Sequence, residues 1–214
     1  MKNILVIGAG KIGAVVADLL GHAQPAAGGA YRVVLADHSA QLLAEFDARP
    51  HRASRVSTLA LDVTDRAALR AALAGQFAVL SAAPYHLTVA VAEAARAVGV
   101  HYLDLTEDVA STRRIREIAS GASTAFIPQC GLAPGFISIV AADLARRFDR
   151  LDSMRLRVGA LPAYPSNTLN YNLTWSTDGV INEYCEPCEA IVDGELRQVP
   201  ALEEREEFSL DGVL

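Results

Sequence analysis

Three cysteines, Cys130, Cys185 and Cys188, are too few and odd in number for a disulfide framework, which points to a reducing compartment and a cytoplasmic protein. No apolar run reaches the roughly 20 residues that cross a bilayer. The first run, Met1 to Ile7, turns glycine-rich before any cleavage site, so it reads as a strand rather than a signal peptide. Basic residues are outnumbered, 19 Lys and Arg against 25 Asp and Glu, and they form no cluster. A net charge of −6 leaves no electrostatic footprint for nucleic acid or an anionic membrane. At 51% hydrophobic and 21% charged, the composition excludes wholesale disorder.

What the sequence does have is alternation. Strands are expected at 4–7, 32–36, 56–61, 77–81, 102–105 and 123–127, with helices at 11–20, 40–47, 66–74, 87–98 and 112–119 between them. Continuously apolar strands are buried on both faces, the habit of a parallel sheet covered by helices. Strict β–α alternation then implies right-handed crossovers and a Rossmann-type, doubly wound α/β domain. We assign residues 1–128 to it and 129–214 to a second, substrate-binding domain. In that second part a helix is expected at 136–148. Residues 153–160 alternate in polarity like a half-buried strand, with Arg155 and Arg157 on one face. A guanidinium can clamp a carboxylate through two parallel hydrogen bonds, although solvated sheet arginines give the same pattern.

Gly8-Ala9-Gly10-Lys11-Ile12-Gly13 follows the first strand and opens the first helix. Gly8 suits a tight turn, Gly10 a close approach of diphosphate to backbone, and Gly13 close packing of helix on sheet. The helix beginning at Lys11 and Ile12 directs free N–H groups at that anion. Asp37 ends the second strand, 24 residues beyond Gly13, where an acid hydrogen-bonds the adenosine ribose. Its charge disfavours a 2′-phosphate, so the expected cofactor is NAD rather than NADP; the neighbouring His38 receives no role. A glycine-rich turn without nucleotide is the competing reading of the loop. Asp62 and Val63 fall beside the adenine, or else Asp62 joins Thr64 and Asp65 in a helix cap. Ser81, Ala82, Ala83 and Pro84 follow the fourth strand, where small residues leave room for ribose and nicotinamide.

Hydride chemistry needs a group that manages one proton. Tyr85, after the fourth-strand loop, and Glu107, after the fifth strand, are the expected catalytic residues. Asp108 is a further proton carrier or a helix cap. Cys130, Asn170, Tyr171 and Asn172, together with Tyr85, form the expected substrate set; the asparagines equally suit Asx turns. Cys185 and Cys188 lack the second pair that structural zinc requires, so no metal is expected.

With these residues in place, the chain resembles the saccharopine dehydrogenase-like family. The resemblance rests on Gly8–Gly13, Leu61–Asp65, Ala82–Tyr85, Gly99–Leu105, Gly131–Gly135, Tyr171–Ser176 and Glu183–Glu195. It implies NAD(P)-dependent hydride transfer at a C–N bond of an amino acid or amine, and a Rossmann domain followed by an α+β substrate and dimerisation domain. A homodimer acting on a small molecule is implied with it. Ala133 stands where saccharopine reductases of the family tend to carry an acid, so lysine 6-dehydrogenase is the better likeness. Members of the family are longer, which leads us to expect a partial second domain. The alternative is a non-catalytic Rossmann regulator that binds NAD(P) as a redox sensor.

Overall fold

A computed structural model describes residues 1–23, 30–159, 162, 164, 166–168, 172–173, 176–203 and 206–207. Six strands, β1 (Lys2–Ile7), β2 (Tyr31–Asp37), β3 (Val56–Ala60), β4 (Ala78–Ser81), β5 (His101–Asp104) and β6 (Phe126–Ile127), pair in the order β3-β2-β1-β4-β5-β6. Every pairing in this sheet is parallel. Helices α1 (Lys11–His22), α2 (Ala40–Asp47), α3 (Arg66–Leu73), α4 (Tyr85–Val98) and α5 (Val109–Ala119) make the crossovers.

The unbroken apolar run of β1 divides by parity, because successive side chains point to opposite faces. Leu5 and Ile7 join one buried cluster with Leu69 and Leu73 of α3, Val91 and Ala95 of α4, and Ile115 of α5. Ile4 and Val6 join the other, with Ala14 and Ala17 of α1 and Leu43 and Phe46 of α2. The sheet is therefore covered on both sides here, and Ile4–Ile7 of β1 show no polar face because they are buried. Local chemistry fixes the helix starts. Ser39, Asp65 and Asp108 each accept a hydrogen bond from a first-turn N–H of α2, α3 and α5. The helix α4 begins at Tyr85, two residues before the apolar pattern does, directly after Pro84.

The second part departs further from expectation. Helix α6 (Phe136–Ala145) stops short of 148. Residues 153–159 form no strand, and Met154, Leu156 and Val158 stay about half exposed. Alternation specifies a strand only when a neighbouring strand takes its backbone groups, and none does so among the described residues. Two elements are additional: helix α7 (Thr177–Glu183), capped by Ser176, and an antiparallel hairpin of β7 (Cys188–Val192) and β8 (Glu195–Val199). Asp193 and Gly194 turn that hairpin with φ of 54° and 81°, as a two-residue loop of this hand requires. Among the described residues no helix is long and apolar enough to cross a membrane.

Candidate cofactor and substrate site

The two central strands send their chains to opposite faces: β1 leads to α1, β4 to α4. Their loops diverge, and a crevice opens at this switch point, where such sheets bind ligands. A cavity of about 510 Å³ occupies it, lined along the strand ends by Asp62 and Asp37, then Gly8 and Gly10, then Ala83 and Tyr85, and finally Glu107.

The three motif glycines are required for different reasons. Gly8 has φ +102°, and a Cβ there would lie 2.7 Å from the Ala82 carbonyl oxygen. A Cβ on Gly13 would collide with the Gly8 carbonyl. Both glycines are needed by the protein itself. Gly10 is not: a Cβ there would meet no protein atom within 4 Å, yet Gly10 lines the cavity. Gly10 also caps α1 without any side-chain hydrogen bond. The residues thus fit a dinucleotide diphosphate, with open space and first-turn N–H groups at the same place.

Asp37 is 9% exposed and ties the loop down. The Ala9 N–H donates to its Oδ2 (2.6 Å) and the Ser39 N–H to its Oδ1 (2.8 Å). Each carboxylate oxygen keeps a further lone pair, so a ribose hydroxyl can still be bound. Asp62 accepts from both the N–H (2.9 Å) and the hydroxyl (2.7 Å) of Thr64, which hold its carboxyl below the usual range. Asp65, not Asp62, caps α3. Asp62 and Val63 nonetheless line the cavity, as do Ile12, Ala82, Ala83 and Pro84. Lys11, Gly13 and Ser81 do not. Gly13 and Ser81 lie beneath the loops, and the buried Ser81 hydroxyl has no hydrogen-bond partner among the described residues.

At the other end, Tyr85 and His86 open α4 and meet edge to face at 5.8 Å. Glu107, on the β5–α5 loop, lines the same cavity. Burial, followed by the charges of Asp108 and Asp104, raises its carboxyl above the ordinary value. Asp108 is a helix cap: Ser111 N–H donates to its Oδ2 at 2.7 Å, and the Asn182 amide to its Oδ1 at 3.4 Å. Of the proposed proton carriers, Tyr85 and Glu107 are the two on the cavity.

Behind them lies a buried carboxylate. Asp104 is fully buried and accepts the Tyr102 hydroxyl (2.8 Å) and the N–H groups of Thr106 and Gln129 (3.0 Å each). Its backbone carbonyl takes the Cys130 N–H at 2.8 Å. Asp104 thus ties β5 to the loop leading into Gly131, a role the sequence reading did not assign. Cys130 belongs to that support. Its thiol points to the Ile127 carbonyl oxygen at 3.1 Å and is pushed up by burial and by Asp104, and it does not line the cavity.

The other expected substrate residues are not gathered here. Asn172 is exposed and away from the cavity lining, while Asn170 and Tyr171 lie outside the described residues. Arg155 and Arg157 pair with Glu206, Arg157 through Nη2 to Oε2 at 2.9 Å, so the arginine face is a surface ion-pair network rather than a clamp in this cavity. Cys185 and Cys188 are exposed, and among the described residues no group of three potential metal ligands comes together. Sequence reasoning missed His38, Thr106 and, from the second part, Ser176 and Gly179, all of which line the cavity. Only His38 carried a signal, its place directly after Asp37.

This fold and cavity define a Rossmann dinucleotide-binding protein. Residues 4–127 match the model of the saccharopine dehydrogenase NADP binding domain, and residues 131–212 that of the saccharopine dehydrogenase C-terminal domain. The chain belongs to the saccharopine dehydrogenase family, which supports a nicotinamide cofactor, NAD or NADP. Among solved structures it is similar to the L-glutamate-forming saccharopine dehydrogenase of Saccharomyces cerevisiae, with a TM-score of 0.70 and 23% identity over 99% of this chain and 48% of that one. It is also similar to scyllo-inositol dehydrogenase from Lactobacillus casei with bound NAD(H) and scyllo-inositol, at a TM-score of 0.52 and 14% identity, over 69% of this chain and 41% of that one. At these identities the likeness is one of fold. The chain spans about half (48%) of the yeast enzyme's length.

Proposed function

We propose that the protein is an NAD(P)-dependent dehydrogenase that oxidises a C–N bond of an amino acid or related amine. The observation that carries this reading is one cavity lined by the glycine loop together with Tyr85 and Glu107. Bound nicotinamide supplies the hydride acceptor. The chain supplies the rest. Gly8–Gly10 and the start of α1 would hold the diphosphate, and Asp37 would accept from a ribose hydroxyl, which favours NAD. Ala82–Pro84 leave the nicotinamide a small-sided slot. Glu107 takes the proton released from the substrate nitrogen as the C–N bond becomes an imine, and Tyr85 orients the substrate with its hydroxyl. Family membership supports the amine chemistry, and a homodimeric cytoplasmic enzyme goes with the same reading.

The test is NADH or NADPH formation over a panel of amino acids and diamines, with inositol and simple alcohols as controls. Turnover confined to amines supports the reading. Turnover confined to alcohols overturns it, and cofactor binding without turnover on any substrate favours the regulator. In the active case, Glu107→Gln should lower kcat/KM by about 100-fold. The wild-type acid limb should stand above the ordinary glutamate value of 4.5, because the base works only when ionised and its raised carboxyl holds the proton to higher pH. The variant should lack that limb; a pH profile unchanged by the substitution removes Glu107 from the proton path.

A further inference from the structure

Helix α7 is what the second part of the chain brings to the cavity, and one stripe of it is turned to Glu107. Ser176, Gly179 and Asn182 follow at a spacing of three, which sets them on one side of a helix. Ser176 and Gly179 line the cavity, and the Asn182 amide donates to Asp108 Oδ1 at 3.4 Å. Glu183, beside Asn182, belongs to the same side: burial, then the charge of Glu107, raises its carboxyl. The stripe thus meets the β5–α5 loop. Of the strands whose following loops line the cavity, β5 lies farthest from β3, whose loop carries Asp62. Gly179 therefore stands at the end of the cavity remote from Asp62, next to Glu107.

Nothing in its own backbone requires Gly179 to be glycine. It is the third residue of α7, in a helical conformation open to any residue, and glycine inside a helix is less stable than alanine. Its N–H donates to Ser176 Oγ at 3.2 Å, a bond that does not depend on the side chain. What the glycine provides is space on the cavity wall. We infer that Gly179 is the residue that sets substrate length, its missing side chain leaving room for the chain that an amine carries beyond the reacting carbon. This rests on the amine-dehydrogenase reading above. On that reading Glu107 takes the proton of the substrate nitrogen, so the reacting end lies beside Glu107 and the rest of the substrate extends along α7. The substrate class is then a long-chain diamine or diamino acid rather than a short one. Asn182, through Asp108, fixes this wall to the loop that carries Glu107.

The experiment measures kcat/KM of the full chain on diamines from ethylenediamine to hexamethylenediamine, and on diaminopropionate, diaminobutyrate, ornithine and lysine. Wild-type protein should favour the longer members of each series. On the longest, Gly179→Ala should lower kcat/KM about tenfold and Gly179→Val about 100-fold, the discrimination that added methyl groups give in a filled pocket, with the loss shrinking as the chain shortens. NADH affinity by calorimetry should match wild type in both variants, and Gly179→Ala should melt no lower than wild type. A wild type indifferent to length, or a loss in the variants that is even over the series, overturns the inference. So does a fall in the melting midpoint of Gly179→Ala, which would assign the glycine to the packing of α7 on the β5–α5 loop. In each of these cases wild-type turnover of amines keeps the underlying reading; no turnover of any amine by the wild type overturns both.

Discussion

Replacing Gly10 by valine is expected to leave the protein's stability nearly unchanged and to cripple dinucleotide binding, whereas Gly13→Ala should destabilise the fold. A Cβ at Gly10 would meet no protein atom within 4 Å, so the effect on stability belongs with ordinary surface changes, within about 0.5 kcal/mol. The same side chain stands where the diphosphate must approach the backbone, and NADH affinity should fall at least about 100-fold, or roughly 2.7 kcal/mol. Gly13 is the reverse. Its Cβ would strike the Gly8 carbonyl, a backbone atom with no freedom to move because Gly8 is itself packed on Ala82. Overpacking of this kind costs about 1–3 kcal/mol, and occasionally more. Thermal melts and NADH calorimetry on the two variants separate the cases. Equal loss of stability in both would mean that Gly10 serves the fold rather than a ligand.

Asp104→Ala should destabilise the protein by about 3 kcal/mol, since it strands the N–H groups of Thr106 and Gln129 and leaves the Tyr102 hydroxyl only the Thr88 carbonyl. Asp104→Asn should recover most of that. Its amide oxygen still accepts the two N–H groups, and its NH₂ donates to the Tyr102 oxygen, whose proton turns to the Thr88 carbonyl 3.3 Å away. The pH dependence carries the sign. Burial raises the Asp104 carboxyl above its ordinary value of 3.8, so the folded state holds this proton more tightly than the unfolded one. The contribution of Asp104 is full below that ordinary value and is lost as pH rises through the folded value. Asparagine has no such dependence, so urea titrations should show Asp104→Asn gaining on wild type between about pH 3 and pH 7. A difference that is constant with pH would mean that Asp104 titrates alike in both states.

The sheet was legible because its signals are local and redundant. The central strands are apolar runs that need cover on both faces, and four of the five helix starts of the first part carry a capping side chain or a proline. The cofactor half of the site was legible for the same reason: the turn, the open approach and the acid all lie on β1–α1–β2. The substrate half was less so. Tyr85 and Glu107 follow strand ends and could be placed by topology, but Cys130 also follows a strand end and proves to support the loop from behind. Nothing within one segment says which way a side chain faces once a neighbouring carboxylate claims its backbone. The run at 153–159 failed for the complementary reason, since its period describes a strand while its hydrogen bonds depend on a neighbour.

By itself, the sequence determined a Rossmann sheet, a glycine loop at its first turn and membership of a dehydrogenase family, because these depend on spacing along the chain. Tertiary structure alone decided which glycine serves the ligand, and that α7 contributes Ser176 and Gly179 to the same cavity as Glu107. It alone decided, too, that Asp37 ties down the turns after β1 and β2 through its two oxygens. Those outcomes depend on which donors lie within hydrogen-bond reach in three dimensions, and the two N–H groups that hold Asp37 come from opposite ends of the β1–α1–β2 unit.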